Sequence, residues 1–519
     1  MARSEAFDIG SAVIIAVIIA GFCRNRGWSS AIPLLLAGIA VGLAPFGPIG
    51  VSDPEVVLVA ILAPLVFGEA LTSSIVDLRR VSRPVMLLAV GLVVFGALVV
   101  GFIAQTVIPG IWVSMAFALG AILGPTDAVA VSATARRVGL PRRLVNILEG
   151  ESLVNDGAAL TLLRVFSLAA AAGSVTAAEG ALILATSVIG GVLVGVIGGL
   201  LLMMVVRRPD TTVANGMILL APLPLYLGAE AIEGSGILAV VVAALVVAHG
   251  TSSAVTYTGR LQSTSLWLTI TFILQSAAFF LVGLEMPAVL SVMPAAQLRT
   301  LAIAVPAIFL ALVAARIVFV YFMALAAGRI SGQREWLLLA WAGTRGPVSA
   351  LAAFTLPVTT SAGTVIPNRN LVISITFGVV LISLLLAPSV GMLARTLNLS
   401  RDDDTAVKRR VHVALARSAL NRLEEIEDSS ERTGEPIPAE VFDRLRGGAE
   451  QRLERAARLS ERDTDSVHRS MASVREIAVE MMRAEQEELF RQRDREGLPD
   501  EILREMQQEI DVRIRALGE

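Results

Sequence analysis

Residues 146–156 read Asn-Ile-Leu-Glu-Gly-Glu-Ser-Leu-Val-Asn-Asp, a polar string set inside the otherwise apolar stretch 143–172. On a helix, Ser152 and Asp156 are four residues apart and share a face, with Glu149 one turn below; Glu151 and Asn155 share the adjacent face. At about 1.5 Å per residue from Arg143, Asp156 lies roughly 20 Å along such a helix, near the middle of a bilayer. An ionisable side chain at that depth costs about 2.5–3.5 kcal/mol on insertion scales and calls for a function. A hydroxyl, an amide and a carboxylate converging there replace the hydration shell of a small hard cation, for which oxygen ligands are suited.

The surrounding chain supplies the membrane. Of 519 residues, 55% are hydrophobic and 17% charged, with a mean hydropathy of +0.72, where soluble proteins carry about 25% charge. This excludes disorder and disfavours a soluble enzyme. The net charge of −2 hides a split: residues 401–519 hold 22 basic and 29 acidic side chains, the first 400 hold 21 and 16. The reading is a transmembrane domain at 1–400 and a charged helical domain at 401–519. Cys23 is the single cysteine and the three histidines are far apart, so no cysteine or histidine metal centre, and no cofactor, is expected. Nothing in the charge balance points to nucleic acid.

A spanning helix needs roughly 20 apolar residues. Thirteen candidate spans run over 7–22, 31–44, 55–76, 84–109, 112–133, 143–172, 178–206, 211–231, 235–250, 264–291, 298–327, 335–356 and 370–397. Arginines follow every odd-numbered span up to the eleventh (Arg24 and Arg26; Arg79, Arg80 and Arg83; Arg136, Arg137, Arg142 and Arg143; Arg207 and Arg208; Arg260; Arg329 and Arg334), and the loops 44–54, 173–180 and 233–236 carry none. The bias toward positive cytoplasmic loops then puts the N-terminus outside and the tail in the cytoplasm of a multi-pass plasma-membrane protein. In the tail, 406–427, 439–459, 465–490 and 499–517 have helical spacing of apolar residues; they read either as a solvated appendage or as a regulatory or dimer-bridging domain.

Two spans are interrupted. Gly124-Pro-Thr-Asp127 breaks the fifth, because proline lacks a donor and clashes with the preceding turn, and Gly343-Thr-Arg-Gly-Pro347 breaks the twelfth. One broken helix in each half is the mark of an inverted-repeat transporter with its site at the midplane. Spans one to six and eight to thirteen would be the repeats, with the seventh as linker. Thr126 and Asp127 then sit where free backbone groups face the centre; Asp127 also suits a helix cap, and Thr126 and Ser152 also suit bonds to backbone carbonyls. Arg316 and Arg345 are buried cations whose natural counter-ions are Glu151 and Asp127, and a pair of Arg316 with Glu151 would be structural. Glu69 is a third intramembrane acid, and Arg164, two turns beyond Asp156, has the reach to snorkel.

Glu149-Gly-Glu-Ser-Leu-Val-Asn-Asp156 resembles the signature of NhaP-type cation/proton antiporters, the bacterial relatives of animal sodium/proton exchangers. Gly124-Pro-Thr-Asp127, Ala315-Arg-Ile, Gly343-Thr-Arg-Gly346 and the Asp77-Leu-Arg-Arg80 ending fall in the family's order over residues 7–400. The resemblance implies an all-α homodimer of thirteen-helix subunits that exchanges sodium, or potassium or lithium, for protons. It implies Asp156 as the ion- and proton-carrying carboxylate, Ser152, Thr126 and Glu69 as co-ligands, Glu151–Arg316 as a fixed pair and Asn155 as a brace for the broken helices. Many relatives have proline where this chain has Ala128, which shifts the break toward Pro125. A lone aspartate beside Asn155 and a neutralised Glu151 implies an electroneutral cycle. A cation channel on the same scaffold, or a sensor whose output is the tail, are the rival readings; there is no nucleotide-binding glycine loop and no nucleophile with its base.

Overall fold

The structure is a computed structural model that describes residues 2–44, 54–73, 75–127, 139–173, 176–207, 211–254, 257–327, 333–399, 405–433, 438–458 and 485. The chain divides into two compact units, Met1–Arg401 and Asp402–Glu519.

The first unit is helical because lipid offers no partner to a backbone N–H or C=O, so each apolar run must satisfy its own. In order, α1 (Ala2–Asn25), α2 (Ala31–Gly42) and α3 (Pro54–Thr72) lead through a short helix, Ile75–Arg80, to α4 (Ser82–Val107), which is π-wound over Leu87–Leu92. Then come α5 (Val113–Leu123), α6 (Arg142–Ala172), α7 (Ala177–Val206), α8 (Thr212–Glu230), α9 (Gly236–Ala254), α10 (Tyr257–Ser291) and α11 (Ala295–Ala327). The interrupted twelfth span is the pair α12 (Gln333–Trp341) and α13 (Pro347–Phe354), and α14 (Arg369–Thr396) closes the block. Among the described residues, seven helices are long and apolar enough to cross a membrane unaided, and five shorter apolar helices with the α12–α13 pair occupy the other predicted spans. The end of the fifth span, with Ala128, Arg136 and Arg137, lies outside the described residues.

The packing repeats itself. α3 lies along α9 and α2 along α10; α4 packs on α5 and α11 on α12; α5 meets α6 and α13 meets α14. Shifting each span by seven maps one contact of each couple onto the other, and α3 with α10 and α4 with α11 map onto themselves. An offset of seven crossings reverses direction, so the repeats are inverted.

Two packing groups follow. One apolar cluster joins α1–α3 to α7–α10 and takes in Leu153, Ala350, Leu351, Val380 and Leu384 of α6, α13 and α14; a second joins α4–α6 to α11, α13 and α14 and includes Met286 of α10, and a third surrounds Val85, Leu144 and Leu338. The first group is tightly laced: added methyls on Gly191, Gly195 and Gly199 of α7 would lie 2.7, 2.7 and 3.0 Å from the carbonyls of Ser235, just before α9, and of Ala239 and Ala243 within it. Small residues at every fourth position let two membrane helices approach backbone to backbone.

In the second unit, α15 (Thr405–Thr433) packs on α16 (Ala439–Arg458), burying Ala416, Phe442 and Ala449, and Arg446 bonds Glu427. The helices expected over 465–490 and 499–517 lie outside the described residues.

Candidate functional site

The site begins at the two breaks. α5 stops at Leu123, and Pro125, which cannot donate a helical bond, leads into extended chain. α12 stops at Trp341, Gly346 is extended, and Pro347 sits in the first turn of α13, where its missing N–H costs nothing. The unwound segments are fastened to each other: the Asp127 N–H donates to the Thr344 carbonyl at 2.7 Å, and the Thr344 hydroxyl donates to the Asp127 carbonyl at 3.0 Å. Gly346 permits this approach, since a methyl there would lie 2.5–2.7 Å from the Asp127 side chain.

α6 supplies the next layer. Glu151 and Asn155 face the crossing, as their spacing requires. The Thr126 hydroxyl donates to Glu151 Oε1 at 2.8 Å, and Asn155 Nδ2 donates to the Thr126 carbonyl at 3.3 Å and its hydroxyl at 3.0 Å. Arg316 of α11 grips Glu151 with both terminal nitrogens, at 2.5 Å to Oε1 and 2.9 Å to Oε2, while its Nε donates to the Leu339 carbonyl at 3.0 Å. Both residues are 1% exposed. A fork-on-fork pair of this kind satisfies both desolvated charges. Of the pairings the sequence left open, the structure contains Arg316 with Glu151.

Arg345 finds acceptors of another kind. Its Nε donates to the Leu123 carbonyl at 3.2 Å and its Nη1 to the Gly343 carbonyl. It thus neutralises the negative C-terminal end of the half-helix α5.

Ser152 and Asp156, on the neighbouring face of α6, look elsewhere. With Glu69, Thr126, Asp127, Gln275 and Ser349 they line a small cavity. Its walls come from α6 and both breaks on one side, and from α3 and α10 on the other, so it lies between the two packing groups. Asp156 is 5% and Ser152 7% exposed. Lining the cavity are acids, hydroxyls, an amide, backbone and apolar groups; among the described residues no arginine lines it. A concavity so furnished can strip and replace the water shell of a small cation. Asn155 Oδ1, just behind it, is buried without a hydrogen-bond partner.

Sequence reading had passed over Gln275 and Ser349. Gln275 carried a signal, an amide inside the apolar run of α10. Ser349, a small hydroxyl in α13, carried none. Arg164, which the sequence placed within snorkelling reach, binds Glu230 of α8, Nη1 lying 3.1 Å from Oε2, and donates to the Gly234 carbonyl.

The transmembrane sodium/hydrogen exchanger family matches residues 11–395. The chain is 29% identical to an uncharacterised sodium/proton exchanger of Mycobacterium tuberculosis, over 96% of this chain and 94% of that one. It is 32% identical to the sodium, potassium, lithium and rubidium/proton antiporter of Bacillus pumilus, over 76% of this chain and 62% of that one. Its fold is similar to that of the sodium proton antiporter MjNhaP1 from Methanocaldococcus jannaschii, with a TM-score of 0.64 at 21% identity, covering 76% of this chain and 99% of the other.

Proposed function

The chain belongs to the sodium/hydrogen exchanger family, as an NhaP-type member that exchanges a monovalent cation for protons across a membrane, and on that premise we propose that both ions compete for Asp156. A carboxylate shielded from water favours the proton, and a cation at bonding distance favours the ionised form, so one set of oxygens serves one guest at a time. In this reading Ser152, Thr126 and Glu69 complete the cation's shell around Asp156. Asp127, Arg345 and Asn155 hold the crossing in shape, and Glu151 is withdrawn from transport by Arg316. The observation that carries the reading is the contrast in surroundings: Asp156 lines a cavity with neutral oxygens, Glu69 and Asp127, whereas Glu151 is saturated by Arg316 and Thr126.

If the vacant carrier reorients slowly, each swing moves one species in and the other out. With Asp156 as the acid that exchanges its proton, each cycle moves one cation per proton and is electroneutral. The cation is sodium in the first instance. A potassium/proton exchanger is the alternative, and the breadth named for the Bacillus pumilus relative favours testing both. Further parts of the proposal are a homodimer in the plasma membrane, an outside N-terminus, and residues 401–519 as a cytoplasmic domain that takes a regulatory partner or ligand.

Dequenching of a pH-sensitive dye in proteoliposomes, with lithium, sodium, potassium or rubidium added in turn, tests the assignment. The wild type responds and Asp156→Asn does not; a response that survives in the variant overturns it. A steady current driven by membrane voltage overturns the stoichiometry.

A further inference from the structure

Above Asp156, α6 leaves the cavity and closes on the first helical group. Three residues on one face, spaced four and three apart, meet the α8–α9 turn and the start of α9. Gly157 lies beneath Leu238, whose Cδ1 is 3.6 Å from where a methyl on the glycine would be. The Thr161 hydroxyl bonds the Ser235 hydroxyl at 3.1 Å. Arg164 Nη1 reaches Glu230 Oε1 at 3.2 Å and the Gly234 carbonyl at 2.5 Å. The turn is itself pinned: the Gly236 N–H donates to Glu230 Oε1 at 3.2 Å and the Ser235 N–H to the Ser187 carbonyl of α7 at 2.8 Å. Arg164 therefore belongs to the group that carries the site, and its acceptors belong to the laced α7–α9 group.

Alternating access requires one bundle to move against the other around the site. The α6 residues that line the cavity are Ser152 and Asp156, whereas Gly157, Thr161 and Arg164 beyond them engage the α8–α9 turn and the start of α9. We propose that Arg164 and Glu230 are positioning residues for exchange, a latch that holds this end closed and must part in each cycle. The inference rests on the reading of Asp156 as the transported-ion site. An ion pair suits the task better than apolar packing. Closed, the arginine is held by two acceptors and the glutamate by two donors; opened, water rehydrates both charges, so neither is stranded.

The test uses full-length protein with Cys23→Ala and a reporter, Val348→Cys, on the cavity wall. A membrane-impermeant thiol reagent is applied to either side of oriented vesicles. With the native pair, labelling comes from one side, and that side reports the orientation of the chain. Arg164→Gln and Glu230→Gln each raise labelling from the opposite side about fivefold or more, the lower end of ordinary coupling between two states. The double variant does no more than either single one, because one contact is being removed, and Arg164→Lys, which keeps the charge, restores part of the sidedness. Unchanged sidedness in both single variants, or additive effects in the double variant, overturns the latch. Should Arg164→Gln fail to reach the membrane, Glu230→Gln decides alone. Exchange that persists in Asp156→Asn removes the site reading while the sidedness result stands, so the two failures are distinct.

Discussion

Glu151 and Asp156 stand five residues apart on α6, are 1% and 5% exposed, and live in opposite surroundings. The glutamate accepts both terminal nitrogens of Arg316 and the Thr126 hydroxyl, so its oxygens are fully engaged. The aspartate opens on a cavity with serines, a threonine, a glutamine and two further acids, Glu69 and Asp127. Burial alone therefore does not distinguish the two acids; the difference is that Glu151 already has a fixed cation in Arg316. On the proposed function, the first acid braces the crossing and the second serves a mobile guest.

The contrast is broken most severely at its functional end. Asp156→Asn keeps the shape and removes the exchangeable charge, so cation-driven proton movement should fall to the level of empty liposomes. The thermal midpoint of the purified protein should stay near that of the wild type. At the structural end, Glu151→Gln leaves the Arg316 guanidinium buried without its counter-ion. Breaking a buried pair costs about 3–5 kcal/mol, so the variant should unfold at a clearly lower temperature in detergent, with any loss of exchange following loss of folded protein. Restoring a neutral interior with Glu151→Gln and Arg316→Met together should recover part of that midpoint. No recovery would mean that the pair does more than brace.

A smaller effect is expected from Asn155→Ala. It removes the donor to the Thr126 carbonyl and hydroxyl, and a buried acceptor left unsatisfied costs about 1–3 kcal/mol. Thr126 touches both acids' surroundings, through its hydrogen bond to Glu151 and its place on the cavity wall. The variant should therefore lower the thermal midpoint less than Glu151→Gln does and also weaken apparent cation affinity. A change in only one of the two readouts would separate the brace from the site.

Much of this arrangement was legible in the chain. Lipid forces long apolar runs into helices, so the thirteen spans could be marked directly, and Pro125 and Gly346-Pro347 announce the breaks because no helix passes through them unaltered. The acids stood out by the cost of burying them. Partnerships were less legible, since they depend on how faces meet across sequence distance. Arg316 reaches Glu151 across 165 positions and Arg164 reaches Glu230 across 66, and nothing in either local pattern names the other. Arg345 shows another gap: acceptors for it are the carbonyls of Leu123 and Gly343, partial charges created by ending a helix, which a count of acidic residues does not register. Ser349 joins the cavity wall only because the break re-aims α13.

The mildest test falls on the residue one turn from Asp156. Ser152 offers a single neutral oxygen to the cavity, where Asp156 offers a charge. In Ser152→Ala the carboxylate, the crossing and the Glu151–Arg316 pair all remain, so folding and maximal exchange should be close to wild type. A cation that loses one neutral ligand, and fills the gap with water, loses about 1 kcal/mol, which raises the half-saturating cation concentration roughly fivefold. The increase should be larger for lithium and sodium than for rubidium, because small ions hold their ligands at shorter range and feel the missing oxygen more. An equal shift for all four cations would mean that Ser152 shapes the cavity without touching the ion, and the division between a braced acid and a served one would then rest on Asp156 and Thr126 alone.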